Sequence, residues 1–215
     1  MAELPLSSLL AKMGKALLLL ILSCITLFSY DFKGHREKLD KSLIDGHFRI
    51  FYTLNGEDAI TDKSDLNKNN IPDYVEDTMR HMKLADFVFQ HILEFTHPLK
   101  SERYRDVKYI DINILKIKQE RHLGQAFDAV MTFNRIQDST PCKVLNIDIR
   151  PDLDGRTFTP IHELFHIYMN GYSMMKNPWL VEGLARISQR AFGYYQLTYK
   201  GSPPFPKNRV ELNRV

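Results

Sequence analysis

Apolar residues recur with two different periods along this chain, and the changes of period divide it into elements. His47–Leu54 (HFRIFYTL) alternates and is rich in β-formers, which predicts a strand. From Pro72 to about Thr96, the residues Val75, Met79, Met82, Phe89 and Ile92 or Leu93 recur near helical spacing, and no glycine or proline intervenes before Pro98. A long helix with a broad apolar face is predicted there, with Met79, Met82 and Phe89 in the core. Val107–Ile117 (VKYIDINILKI), Gln125–Phe133 and Cys142–Ile149 read as three further strands. In the first of these, Val107, Tyr109, Asp111, Asn113, Leu115 and Ile117 share a face. Thr159-Pro160 reads as a helix start, with threonine as cap and proline in the first position, and Asn170-Gly171 as its stop. Asn177-Pro178 opens another helix in the same way, running to about Phe192. Residues 31–45 read as a polar lead-in, 55–70 as a loop, and the tail after Gly193 as irregular. Strand, long helix, strands, two helices is an α+β order.

The N-terminus departs from this pattern. Ala16–Phe28 (ALLLLILSCITLF) is apolar and uncharged behind Lys12 and Lys15, and shorter than the ~20 residues that span a bilayer. It reads as a secretory signal over residues 1–30, with a single domain over 31–215. The expected location is outside the cytoplasm, secreted or in the envelope or periplasm. Ile-Leu-Ser-Cys at 21–24 is a weak lipoprotein box, so an uncleaved signal or a lipid on Cys24 would be the tie to a membrane. With only Cys24 and Cys142, no disulfide framework is expected, and a disulfide-free secreted domain often relies on bound metal. The net charge of +3 is spread without a basic run, so no nucleic-acid partner is expected.

The chemistry lies in the predicted helix around 160–170, which contains His162-Glu163-Leu164-Phe165-His166, an HExxH motif. Positions four apart lie on one helix face, so both imidazoles can reach one ion. Glu163 lies about 100° around from His162 and can hold a water bound to that ion. Leu164, Phe165 and Ile167 point the other way, toward a core. A catalytic zinc takes three protein ligands and keeps one position open. The third candidate is Glu182, in Trp179-Leu180-Val181-Glu182-Gly183-Leu184-Ala185. Gly183 and Ala185 are small enough to let this helix pack close, and Trp179 could brace the pair.

HELFH followed by WLVEGLA resembles the gluzincin clan of zinc metallopeptidases. The resemblance implies a zincin-like fold: a small mixed sheet, a long backing helix, an active-site helix and a third-ligand helix. It implies that His162, His166 and Glu182 bind Zn2+, that Glu163 is the general base, and that the substrate is a protein or peptide. An oxyanion donor would be a tyrosine or histidine beyond the third ligand, with Tyr194, Tyr195 and Tyr199 available. Thermolysin-like members carry an aspartate four residues after the third ligand to orient the first histidine; here Arg186 occupies that position, so another acceptor is needed. Gln125–Phe133 lies where zincins keep an edge strand that can pair with substrate. Two other functions fit less of this pattern: a zincin-fold binding protein that keeps zinc without turnover, and a calcium-ordered envelope or adhesion module.

A second metal pattern precedes the long helix. In the twelve residues from Asp65 to Glu76, oxygen side chains stand at positions 1, 3, 5, 9 and 12, from Asp65, Asn67, Asn69, Asp73 and Glu76, and Ile71 offers its carbonyl at position 7. Asn70 replaces the usual glycine at position 6 and tolerates a left-handed backbone. The stretch resembles the DxNxNGIPDYVE loops of secreted bacterial proteins, several of them joined to metallopeptidases, which implies a structural Ca2+.

Overall fold

The computed structural model describes residues 32–119, 121–172 and 177–192. The expected signal, Cys24 and the tail after Phe192 lie outside them. The chain divides into two units, Met1–His35 and Arg36–Val215; the first short helix crosses their boundary, and everything after it belongs to the second. After a short helix α1 (Phe32–Glu37) come β1 (Lys41–Asp45), β2 (Phe48–Tyr52), α2 (Asp73–His91), β3 (Val107–Ile114), β4 (Gly124–Phe133), β5 (Cys142–Ile149), α3 (Thr159–Tyr172) and α4 (Pro178–Phe192). Two 3-10 turns, Pro98–Lys100 and Glu102–Tyr104, precede β3. The architecture is α+β. Among the described residues, five strands form one mixed sheet in the order β1-β2-β3-β5-β4. The pairs β2–β3 and β3–β5 are parallel, and the two outer pairs are antiparallel. No helix among the described residues is long and apolar enough to cross a membrane.

Several boundaries differ from the sequence reading. The lead-in over 31–45 contains α1 and an edge strand, β1, which pairs with β2 through a turn at Gly46 with φ +63. Being an exposed edge, β1 (KSLID) carries little of the apolar alternation that marks an inner strand. The long helix stops at His91 rather than near Thr96, because Glu94 turns left-handed at φ +58 and the Phe95 N–H falls back on the Phe89 carbonyl. β3 ends at Ile114: beyond it the Lys116 N–H bonds Asp58 rather than a strand. α3 takes its first hydrogen bonds from the Phe158 carbonyl, so Thr159 is inside the helix rather than its cap, and the helix runs past Gly171 to Tyr172.

The strand register sorts side chains by parity. Phe48 and Ile50 of β2 stand beside Ile110 and Ile112 of β3, which stand beside Leu145 and Ile147 of β5. All six are buried in one cluster with Val75, Met79, Met82 and Phe89 of α2 and Ile161, Leu164, Phe165 and Ile167 of α3. Both helices therefore cover this face, and the assignment of Met79, Met82 and Phe89 to the core holds. The other parity is ionic. Arg49 is in register with Asp111, and Asn113 with Asp148. Arg49 donates to both Asp111 oxygens at 2.7 and 2.9 Å and to Asp138 at 2.6 Å. Arg36 grips Asp148 at 2.9 and 2.8 Å, and Arg135 reaches Asn113. Arg36, Arg49, Asp111, Asn113 and Asp148 are at most 2% exposed. Cys142 is free and buried.

Removing one member of a buried ion pair strands its partner without solvent, which costs about 3–5 kcal/mol. Asp111→Ala should lower the unfolding free energy in urea by that order, because it leaves Arg49 and Arg135 short of an anion. The double replacement Arg49→Met/Asp111→Leu should cost less than Asp111→Ala alone.

Candidate metal centre

α3 carries His162 and His166 one turn apart, and their Nε2 atoms stand 3.0 Å from each other. α4 brings Glu182 to the pair, with Oε2 3.3 Å from His162 Nε2 and Oε1 3.2 Å from His166 Nε2. Ligands ~2.05 Å from a tetrahedral zinc lie about 3.3 Å apart. The three separations therefore suit one ion held by two imidazoles and a carboxylate, a donor set typical of catalytic zinc. The imidazoles are only 15% and 14% exposed, whereas Glu182 is 54% exposed. The open side of the triangle faces a cavity of about 690 Å³, which runs between residues 121–126 and Asp128 on one side and Val181, Glu182, Arg186 and Gln189 on the other.

Glu163 lines the same cavity and is 6% exposed. Burial pushes its carboxyl up to about 8; the Ala126 backbone N–H pulls it down, and the charges of Glu182 and Asp148 push it further up. Ala126 belongs to β4, the edge strand, so the outermost backbone of the sheet meets the motif helix at this carboxylate. Gly124 makes that approach feasible. A Cβ there would stand 2.7 Å from both Glu163 Cγ and Thr159 Cγ2, closer than side chains come. Sequence reasoning missed Gly124. Its signal was a glycine immediately before a predicted strand, a common mark of close backbone approach.

His162 shows how the ring is supported. Burial lowers its pKa most; Glu182 and Gln189 oppose that shift, and Arg186 adds to it. Its buried Nδ1 makes no hydrogen bond among the described residues. Arg186 and Gln189 follow Glu182 by four and seven positions, so the face of α4 that presents the carboxylate also presents them. That spacing could have identified Gln189 as the polar neighbour of the first histidine. Two other expectations for α4 fail. Trp179 is 74% exposed, and among the described residues a Cβ on Gly183 would meet no atom within 4 Å, whereas Ala185 is fully buried. Ala185, Ser188 and Phe192 are the buried residues of this helix. Tyr194, Tyr195 and Tyr199 lie outside the described residues.

The 65–76 loop gathers four of its six expected ligands. Asp65 accepts the N–H groups of Asn69 and Asn70 at 3.1 and 2.8 Å. The Asn67 amide stands 3.1 Å from each Glu76 oxygen, and the Asn69 amide 2.7 Å from Oε1. Asn70 is left-handed at φ +67, as its position requires, and so is Lys68 at φ +59. Asp73 instead turns to the Leu66 N–H at 3.0 Å, and the Ile71 N–H bonds Asn69 Oδ1 at 2.9 Å. Asp73 and Glu76 also place negative charge in the first turn of α2, where the helix dipole favours it. Set against models of protein families, curated proteins and solved structures, the chain matches none.

Two glycine replacements separate packing from flexibility. Gly124→Ala should destabilise by about 1–3 kcal/mol through overpacking against Glu163 and Thr159. Gly183→Ala, in open space on a helix, should stabilise by up to about 1 kcal/mol. Urea unfolding of the two variants measures both.

Proposed function

We propose that this chain is a zinc-dependent metallopeptidase of zincin-like fold, acting outside the cytoplasm on protein or peptide substrates. The observation that carries the reading is the triangle of His162, His166 and Glu182 donors beside a buried Glu163, all opening on one cavity beneath an edge strand. His162, His166 and Glu182 would hold the zinc ion, which would supply Lewis-acid activation. The remaining work belongs to the chain. Glu163 takes the proton of the attacking water at its carboxylate and hands it to the leaving amine. β4 is the outermost strand beside the motif helix, so an extended peptide can align along it with its carbonyl beside that helix. This family assignment rests on the HELFH and WLVEGLA segments together with that geometry.

One observation favours the alternative, a zinc-binding protein without turnover. Among the described residues no carboxylate or carbonyl fixes the His162 Nδ1 as one usually fixes a zinc-bound imidazole, and a cation, Arg186, stands where the clan places an acid. Activity separates the two. Purified full-length protein should hold zinc and cleave casein in a chelator-sensitive manner, Glu182→Ala should lose the ion of this site, and Glu163→Gln should keep it while losing at least ~10²-fold in kcat. Zinc binding with equal activity in wild type and Glu163→Gln would remove the proposed mechanism; zinc binding without cleavage would favour the binding protein.

The 65–76 loop is proposed to hold a structural calcium that orders residues 55–76 against α2. Only Asp65, Asp73 and Glu76 of its ligands are charged, so affinity should fall in the extracellular range of about 10⁻⁴–10⁻³ M. Millimolar calcium should raise Tm by several degrees, and Glu76→Gln should abolish that rise.

A further inference from the structure

A second donor triangle lies elsewhere in the molecule. His47 closes the turn before β2, Asp86 lies on α2, and His97 precedes the first 3-10 turn. The two Nε2 atoms stand 2.9 Å apart. Asp86 Oδ1 is 3.4 Å from His97 Nε2, and Oδ2 is 3.5 Å from His47 Nε2. These separations match the 3.0, 3.2 and 3.3 Å of the HExxH site almost side for side, with the same pair of imidazoles and one carboxylate. We propose that His47, Asp86 and His97 form a second zinc site, structural in role.

Four features support it. The donors come from three separate segments, so one ion would clip the β1–β2 turn, the backing helix and the chain entering the 3-10 turns. Both carboxylate oxygens are already oriented: Tyr168 of α3 donates to Oδ1 at 2.5 Å, and Gln90 to Oδ2 at 2.9 Å. Ligating carboxylates are usually held in this way, and through Tyr168 the clip extends to the motif helix. The His97 and Asp86 side chains are 6% and 12% exposed, whereas His47 is 33% exposed, so the site is enclosed with one side open for an ion to enter. A disulfide-free domain gains most from such a tie.

The site also predicts its own local change. His97 Nδ1 accepts the Leu99 N–H at 3.2 Å, which places the imidazole proton on Nε2, between His47 and Asp86. Zinc at Nε2 takes the place of that proton. The ring stays neutral by carrying its proton on Nδ1, and the Leu99 N–H then loses its acceptor. Binding therefore opens one contact at the first 3-10 turn.

The test is zinc content after equilibration with zinc in millimolar calcium, which keeps the 65–76 loop from collecting zinc. Full-length protein should hold about two zinc ions per chain, and about one in each of His162→Ala/His166→Ala and His47→Asn, each checked for folding by circular dichroism. The ion retained by His162→Ala/His166→Ala should give cobalt-substituted protein a tetrahedral visible spectrum. In wild-type protein, zinc should speed Leu99 amide exchange, a readout that needs no variant. The proposal is overturned if wild type holds one ion that His162→Ala/His166→Ala removes, or if folded His47→Asn binds as much zinc as wild type. A single ion lost only in His47→Asn would support this site and sink the HExxH reading, so the two fail separately.

Discussion

The in-register pairing of Arg49 with Asp111 is the constraint on which the rest of the sheet depends. Side chains alternate along a strand, so one pair fixes the parity of both strands at once. With Arg49 and Asp111 facing each other away from the helices, Ile50, Ile110 and Ile112 must face α2 and α3. A slip of one residue would drive Asp111 into the aliphatic cluster and lift the isoleucines into a layer of arginines and aspartates. Buried ion pairs contribute little net stability, because desolvation offsets their attraction, but an error of register here is costly in both layers. The position of α3 follows from that register, and so does the meeting of Glu163 with the edge strand at Ala126 and Gly124.

Much of this is legible in the sequence where the period is long or the strand is apolar. β5 and α4 show their extents through spacing and α2 shows its start, and His162, Glu163 and His166 are brought together by a single helix. Glu182 is legible as well, because α4 declares itself through Asn177-Pro178. What is hidden depends on tertiary context. β1 is an exposed edge strand whose polar residues look like a lead-in. The ionic layer is hidden because Arg49, Asp111 and Asp148 look like the solvent side of half-buried strands, whereas they are covered. His47, Asp86 and His97 carry no motif: their spacing of tens of residues becomes a cluster only when a turn, a helix and a 3-10 segment converge. Trp179 misleads in the opposite sense, since the largest side chain near the site is one of its most exposed.

The two triangles of donors differ in what surrounds them. The one on α3 and α4 is open to a cavity, and its carboxylate sits on a helix with only three buried residues, Ala185, Ser188 and Phe192. Little apolar area holds α4 in place, so the convergence of Glu182 on two imidazoles is itself part of what seats that helix. The triangle at Asp86 is enclosed, with its carboxylate held from both sides by Tyr168 and Gln90. An open, weakly seated centre suits exchange with substrate, and an enclosed, braced one suits permanence.

β4 is the outermost strand on its side of the sheet, and a strand in that position is a template for any extended chain, including another copy of this protein. The strand is regular over Gly124–Phe127 and again over Met131–Phe133, with a shift of register between them. That irregularity breaks the ten residues into two short straight runs, only one of which lies beside Glu163. A peptide of a few residues can still add to the first run, whereas a long flat strand from a neighbouring molecule cannot lie along both. An interruption of this kind works against the long regular pairing that edge-to-edge association into fibres needs.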